Sequence, residues 1–194
     1  VSWAITRISG PLAEAVSATD AKKHLRVEHS DEDTYIAGLA KAAREHLEDT
    51  YNRTLVNTTW DYFRDSFPDG RGTIDLPRPP LVSVTSVKYT TVTSTTAQTL
   101  AATSYIVDTN SEPGRIALKD GEAWPTDDLR DVGGVEVRYI AGYATLATGV
   151  PQAARHYIRL LSGHWYTHRE AVGGGAPDFS LRSLASQFDA RRYL

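Results

Sequence analysis

Residues 72–89, GTIDLPRPPLVSVTSVKY, restrict the fold more than any other stretch of this chain. Ile74 and Leu76 alternate with polar neighbours, the two-residue period of a half-buried strand. Pro77, Pro79 and Pro80 then fix φ and remove backbone donors, so the chain turns a corner without ladder pairing there. Beyond the corner, residues 81–92 are rich in β-branched side chains, which crowd a helix and suit a pleated strand. Val82 and Val84 share one parity while Val87 and Tyr89 share the other. The inward face therefore changes side near Thr85 and Ser86, and a β-bulge is the simplest cause.

The same character extends from 56 to 143, where Thr, Val, Tyr and Trp recur in short apolar runs without a helical period. Strands are predicted at 60–65, 73–76, 82–91, 105–107, 115–118 and 135–139, antiparallel because their connections are short. Asp69-Gly70 and Pro113-Gly114 mark turns, and 94–103 reads as a polar, Thr-rich hairpin tip or loop.

Helical patterning flanks this region on both sides. Ser17-Ala-Thr-Asp20 is a capping-box variant opening a helix over 18–27, with Ala21 and Leu25 inward and Lys22, Lys23, His24 and Arg26 outward. The outward face reads as solvated or as a contact for an acidic partner or DNA. Ser30-Asp-Glu-Asp33 is predicted to cap a second helix, a role that accounts for Asp31, Glu32 and Asp33 more simply than metal binding. Ile36, Leu39, Ala40, Ala43, Leu47 and Tyr51 form its apolar stripe, with Lys41, Arg44, Glu45 and Glu48 assigned to the opposite, solvated face.

Val150-Pro151 opens the last long helix, with proline in the first turn, and Ala154, Tyr157, Ile158, Leu161 and Trp165 form its stripe. Trp165 is expected to anchor it against the second helix. The fold class is α+β: a helical bundle formed by the N- and C-terminal helices (17–55 and 150–172) with an inserted antiparallel β region (56–149). Residues 1–16, around Gly10-Pro11, form an extended arm, packed on its own subunit or reaching a neighbour. Gly173-Gly-Gly175 and Pro177 introduce a hinged tail over 173–194. Its few apolar residues are too small a core to hold it, so its ordered partner is expected to be another surface.

Composition narrows the function. The 194 residues are 41% hydrophobic and 23% charged, an ordinary globular balance. A net charge of −3 argues against a protein that coats nucleic acid, although a local basic patch is compatible with it. The chain lacks cysteine, which removes disulfides and thiolate chemistry. Residues 1–16 lack the basic start and continuous apolar run of a signal peptide, and no stretch reaches membrane-spanning length, so an intracellular product or particle component is expected.

No nucleophile elbow, phosphate-binding glycine loop or His-Glu-x-x-His motif occurs. His164 and His168, near Glu170, have zinc-ligand spacing but no third ligand, so packing beside Trp165 is the better account. Asp108, Asn110 and Glu112 alternate like calcium ligands, but Pro113 stands where that loop needs glycine. A turn explains them. No catalytic, cofactor or metal site is assigned.

The proline-rich corner and the strand after it resemble the head-tail connector (adaptor, or head-completion) proteins of long-tailed bacteriophages and of gene transfer agents. Further matching stretches are Ala21-Lys-Lys-His-Leu-Arg-Val27, Tyr105-Ile-Val-Asp108 with Pro113-Gly-Arg-Ile116, Val135-Glu-Val-Arg-Tyr-Ile-Ala-Gly-Tyr143, and 150–153 with Trp165-Tyr-Thr-His-Arg-Glu170. Their order and spacing carry the likeness. The resemblance implies a non-enzymatic structural protein without cofactors, forming a ring, usually twelvefold, between the portal and a tail-side stopper or terminator protein. Helices would build the ring and β elements project from it. DNA would pass through a neutral or negative channel without sequence-specific binding. The location implied is the head-tail junction of a virion or phage-like particle assembled in the bacterial cytoplasm, with no membrane involved.

The portal-docking tail would comprise Leu181, Leu184, Phe188, Arg191, Arg192, Tyr193 and Leu194, with Lys22, Lys23 and Arg26 as partner or DNA contacts. Family tails often end on a Leu-Leu-x-Pro-Tyr-Arg type of motif. This chain instead has Leu184-Ala-Ser-Gln-Phe-Asp189, its arginines displaced to 191 and 192. The competing reading is a β-rich small-molecule or carbohydrate-binding module or enzyme, with Trp60, Tyr62, Trp124 and Tyr143 lining a pocket.

Overall fold

The computed structural model describes residues 3–169 and 178–189. The chain is α+β, with four α-helices and eight strands among the described residues, and its two sheets are antiparallel throughout. It divides into two compact units, one of residues 3–10 and 57–142, the other of residues 11–56, 143–169 and 178–189. No helix among the described residues is long and apolar enough to cross a membrane.

The β unit contains strands β1 (Trp3–Ser9), β2 (Thr58–Arg64), β3 (Ile74–Leu76), β4 (Leu81–Tyr89), β5 (Gln98–Thr99), β6 (Tyr105–Asp108), β7 (Gly114–Leu118) and β8 (Val135–Ala141). One sheet runs β1-β2-β8-β4-β5 and the other β3-β7-β6. Central β8 alternates strictly, burying Val135, Val137, Tyr139 and Ala141 among Trp60, Val87, Ile74 and Ile116. The proline corner stands over this core. Tyr139 donates its hydroxyl to the carbonyl of Pro77 at 2.6 Å, and burial pushes its pKa up.

The β4–β8 register slips between Val84 and Ser86, where the parity change predicts a bulge, and again between Leu81 and Ser83. At the first residue of β7, a Cβ on Gly114 would lie 2.3 Å from that of Leu81, so this position accepts only glycine without repacking. Residues 3–9, predicted as part of an arm, are extended but paired with β2 as a sheet border, and β5 lies inside the stretch predicted as a loop.

The helical unit contains α1 (Ala18–Leu25), α2 (Asp33–Thr50), α3 (Gln152–Thr167) and α4 (Asp178–Ala185), the last followed by a 3-10 turn at Ser186–Phe188. Ser17 caps α1, its hydroxyl accepting from the Asp20 amide at 3.1 Å. The helix stops two residues early because Arg26 turns left-handed, with φ 58°. Ile36, Ala40, Ala43 and Leu47 of α2 share one core with Ala154, Tyr157, Ile158 and Leu161 of α3.

Three expectations are corrected here. No side chain of 30–33 caps α2; Glu32 occupies the cap position, but its carboxylate is taken by the hydroxyl of Tyr166 and by Arg169 at 2.5 Å. Pro151 stands at the N-cap of α3, one residue before its first turn. Arg44 and Glu48 are buried, not solvated, because Glu14 from the segment before α1 closes over them.

Candidate functional site

Cationic side chains of α1 and α3 form the first candidate surface. Lys22 is largely spent: its side chain is 17% exposed, and its ammonium lies 2.5 Å from Asp33 and joins α1 to α2. Lys23 and Arg26 are exposed, and His24 beside them faces His156 and Arg159 of α3. Partial burial, then the fields of His156 and Arg159, hold the His24 pKa below its ordinary value. A cluster of this kind suits an anionic partner. His156 and Arg159 are missing from the sequence reading because they lie more than a hundred residues from α1. Their spacing along α3, opposite its apolar stripe, was the available signal.

The second surface is the tail. Leu181, Ala185 and Phe188 are buried in the core that α2 and α3 share, and Leu184 is half-buried. For residues 181–188 this corrects the expectation that order requires another surface. Arg53, buried, supplies the clasp: its Nε donates to the carbonyl of Phe188 at 2.8 Å and its Nη1 to the hydroxyl of Tyr143 at 2.5 Å. The Phe188 ring meets Tyr143 edge-on, 6.4 Å between centroids. Arg53 carries no periodic signal, since it follows α2 through the left-handed Asn52. Arg191, Arg192, Tyr193 and Leu194, the linker over 170–177 and Glu170 lie outside the described residues.

Between these surfaces the helical unit is fixed by buried ions. Arg44 donates from Nε to Glu14 at 2.6 Å and from Nη1 to Glu48, and its third guanidinium nitrogen reaches Glu45 at 3.3 Å. Glu48 also accepts the Leu55 amide at 2.8 Å. Burial alone would lower the Arg44 pKa, but the fields of Glu48, Glu14 and Glu45 more than offset it, so the pKa is raised.

The aromatic residues of the competing reading are divided between the two units. Trp60 and Tyr62 belong to the β-unit core, with Arg7 and Arg78 each 5.2 Å from the Trp60 ring. Trp124 stacks on Phe67 at 5.1 Å and donates to the Gly72 carbonyl, while Tyr143 belongs to the other unit. One depression, about 610 Å³ between 65–70 and 123–131, is open, with Trp124 and Phe67 in its lining and aspartates at its edge. His164 and His168 stack 4.6 Å apart on α3, and no group of three metal-binding side chains occurs among the described residues. Asp108 closes a turn, accepting from the amides of Asn110 and Ser111 and from Arg115, contacts that hold its pKa low. Trp165 packs edge-on against His46 of α2, the anchoring contact expected of it, though only partly buried.

A sequence profile of the phage gp6-like head-tail connector protein matches residues 17–113. No curated protein matches the chain in sequence. Among solved structures, a chain from the neck of an empty gene transfer agent (GTA) particle, computed with C6 symmetry, superposes with a TM-score of 0.81 at 19% identity. A chain from the virion of a native GTA particle gives 0.80 at 18%, and one from the neck of a native GTA particle, computed with C12 symmetry, 0.78 at 18%. Each alignment covers 95% of this chain and 94% of the other. At such identities the likeness is one of fold.

Proposed function

The chain belongs to the phage gp6-like head-tail connector protein family, and from that membership we propose that it is a structural connector that forms a ring between the portal and the tail. The observation that carries this reading is the near-complete structural likeness to chains of GTA necks, two of them from necks computed with C6 and C12 symmetry. In the proposal, the N- and C-terminal helices form the bundle that builds the ring, and the inserted β region projects from it. Copies of the chain, a portal protein and a tail-side stopper or terminator are its partners. The complete particle would carry it at the head-tail junction after assembly in the bacterial cytoplasm.

The buried contacts divide the tail's labour. Leu181 and Phe188 hold the segment to its own subunit, leaving Leu184 and the terminal Arg191, Arg192, Tyr193 and Leu194 to dock on the portal. Lys23 and Arg26, with His24 and Arg159 behind them, offer the contact for an acidic partner surface. The acidic overall balance supports a DNA passage whose wall is neutral or negative, so that the duplex slides without sticking.

Mass measurement of the purified chain, alone and with its portal, tests the reading. Rings, or addition of the chain to portal particles, are expected. A protein that stays monomeric and leaves the portal unaltered refutes it. Tight, salt-sensitive capture of duplex DNA by the isolated chain refutes the proposed passage.

A further inference from the structure

The border strand β1 is paired with β2 on one side only. Six of its seven residues are exposed, including Trp3 at 58% and Ile8 at 47%. Sheet borders are usually blunted by charge, proline, bulges or short length, because a bare edge is a template for another chain, and the one slip of β1 against β2 falls at its end, between Arg7 and Ser9. Residues 3–9 contain no proline, lysine or acid. Their one charge, Arg7, has its guanidinium over the Trp60 ring at 5.2 Å.

The opposite border of the same sheet is also open. Strand β5 pairs with β4 at Lys88 and Tyr89 alone, so no strand among the described residues pairs with the outer side of β4 over 82–86. That stretch, Val-Ser-Val-Thr-Ser, is uncharged, with Val82 42% exposed and Thr85 exposed, and these two residues are the ones at which its register slips against β8.

We propose that these two borders are the two halves of a contact between copies of this chain, the β1 edge of one adding to the β4 edge, at 82–86, of the next. One occupant is favoured by what the borders share. The β4 border is uncharged and the one charge of the β1 border, Arg7, lies over the Trp60 ring, so neither presents the run of cations that draws in nucleic acid through its phosphates. They are different edges at opposite ends of one sheet, which makes the contact heterologous, and repeated heterologous contacts give a ring where the rotation between copies closes, as the ring reading requires. Backbone hydrogen bonds would supply the pairing, as in other strand additions. The proposal rests on the ring reading above and adds to the helical contacts a second belt of contacts made by the β units.

The cysteine-free sequence gives a clean test. Thr6→Cys and Thr85→Cys, both at exposed positions, are made as separate full-length proteins, mixed, and treated with a short bismaleimide while native mass is recorded. Expected are a covalent dimer in the mixture that neither protein forms alone, and a ladder of covalent oligomers from the double variant. In parallel, Thr6→Lys and Thr85→Lys should each lower self-association about tenfold with circular dichroism unchanged, since a lysine blunts an edge. Ring mass without the mixed cross-link overturns the strand contact alone and leaves the ring reading standing. Cross-linking of Thr6→Cys to itself, or rings unmoved by both lysine variants, also overturns it. Absence of any assembly overturns both.

Discussion

The two units bury their charges differently. In the helical unit Arg44 is 1% exposed and held by Glu48, itself 2% exposed, with Glu14 at the rim. In the β unit Asp61 of β2 is equally hidden, but its partner Arg138, directly across on β8, keeps 37% of its side chain in water while making two bonds of 2.7 Å. Two ions fully withdrawn from solvent depend on each other, since either one left alone is an uncompensated charge in a poor dielectric. A pair with one member in water is screened and partly replaceable. The helical unit is therefore the one that single polar substitutions should break.

The largest expected effect follows directly. Arg44→Ala strands Glu48 and should cost about 3 to 5 kcal/mol, a large share of the roughly 5 to 15 that holds a domain together. Urea denaturation measures it, and a loss below that of Asp61→Asn would reverse the comparison. Next is Arg53→Ala, which removes charged hydrogen bonds to Phe188 and Tyr143. It should cost about 2 to 3 kcal/mol and raise amide exchange over 181–188. Exchange unchanged there would show that the apolar contacts of Leu181, Ala185 and Phe188 hold the tail unaided.

Trp165→Ala, removing a partly buried ring, should cost about 2 kcal/mol, below the range for a fully buried tryptophan. An unchanged midpoint with lost assembly would make Trp165 an interface residue. For Asp61→Asn the expectation is about 1 kcal/mol, because Arg138 can turn to solvent.

The smallest effect is a pH dependence at His24. Its folded pKa lies below the ordinary 6.5, so the unfolded chain takes up the proton first as pH falls. Stability is then full above about pH 6.5, declines between there and the lower folded value, and is level below it. Denaturation midpoints at about pH 7.5 and about pH 5 should differ less in His24→Gln than in the parent. An equal difference would place the proton uptake elsewhere.

Much of this was legible residue by residue. The bulge at Val84 and Ser86 follows from parity, the Ser17 cap from an oxygen-bearing side chain before a helical run, and the α2–α3 core from two apolar stripes. These signals are local, because a face or a cap is decided within a few residues. Arg44 and Glu48 sit where a solvated face would and are nonetheless buried, because the group that covers Arg44 comes from Glu14, thirty residues away. Position 53, outside any periodic run, shows why the clasp on the tail was invisible. The cationic surface of α1 and α3 was half legible: Lys23 and Arg26 come from one run, while His156 and Arg159 join only when α3 packs beside α1.

By itself the sequence determined the kinds of element and their order, a proline corner between strands and helices on either side, because propensity, parity and capping act over short range. Tertiary structure alone decided which charges leave water, that residues 3–9 become a sheet border with a bare edge, and that 181–188 returns to the core of the helical unit. Those outcomes depend on groups brought together across tens to more than a hundred residues. Burial and pairing are properties of neighbours in space, and no local pattern in the chain encodes them.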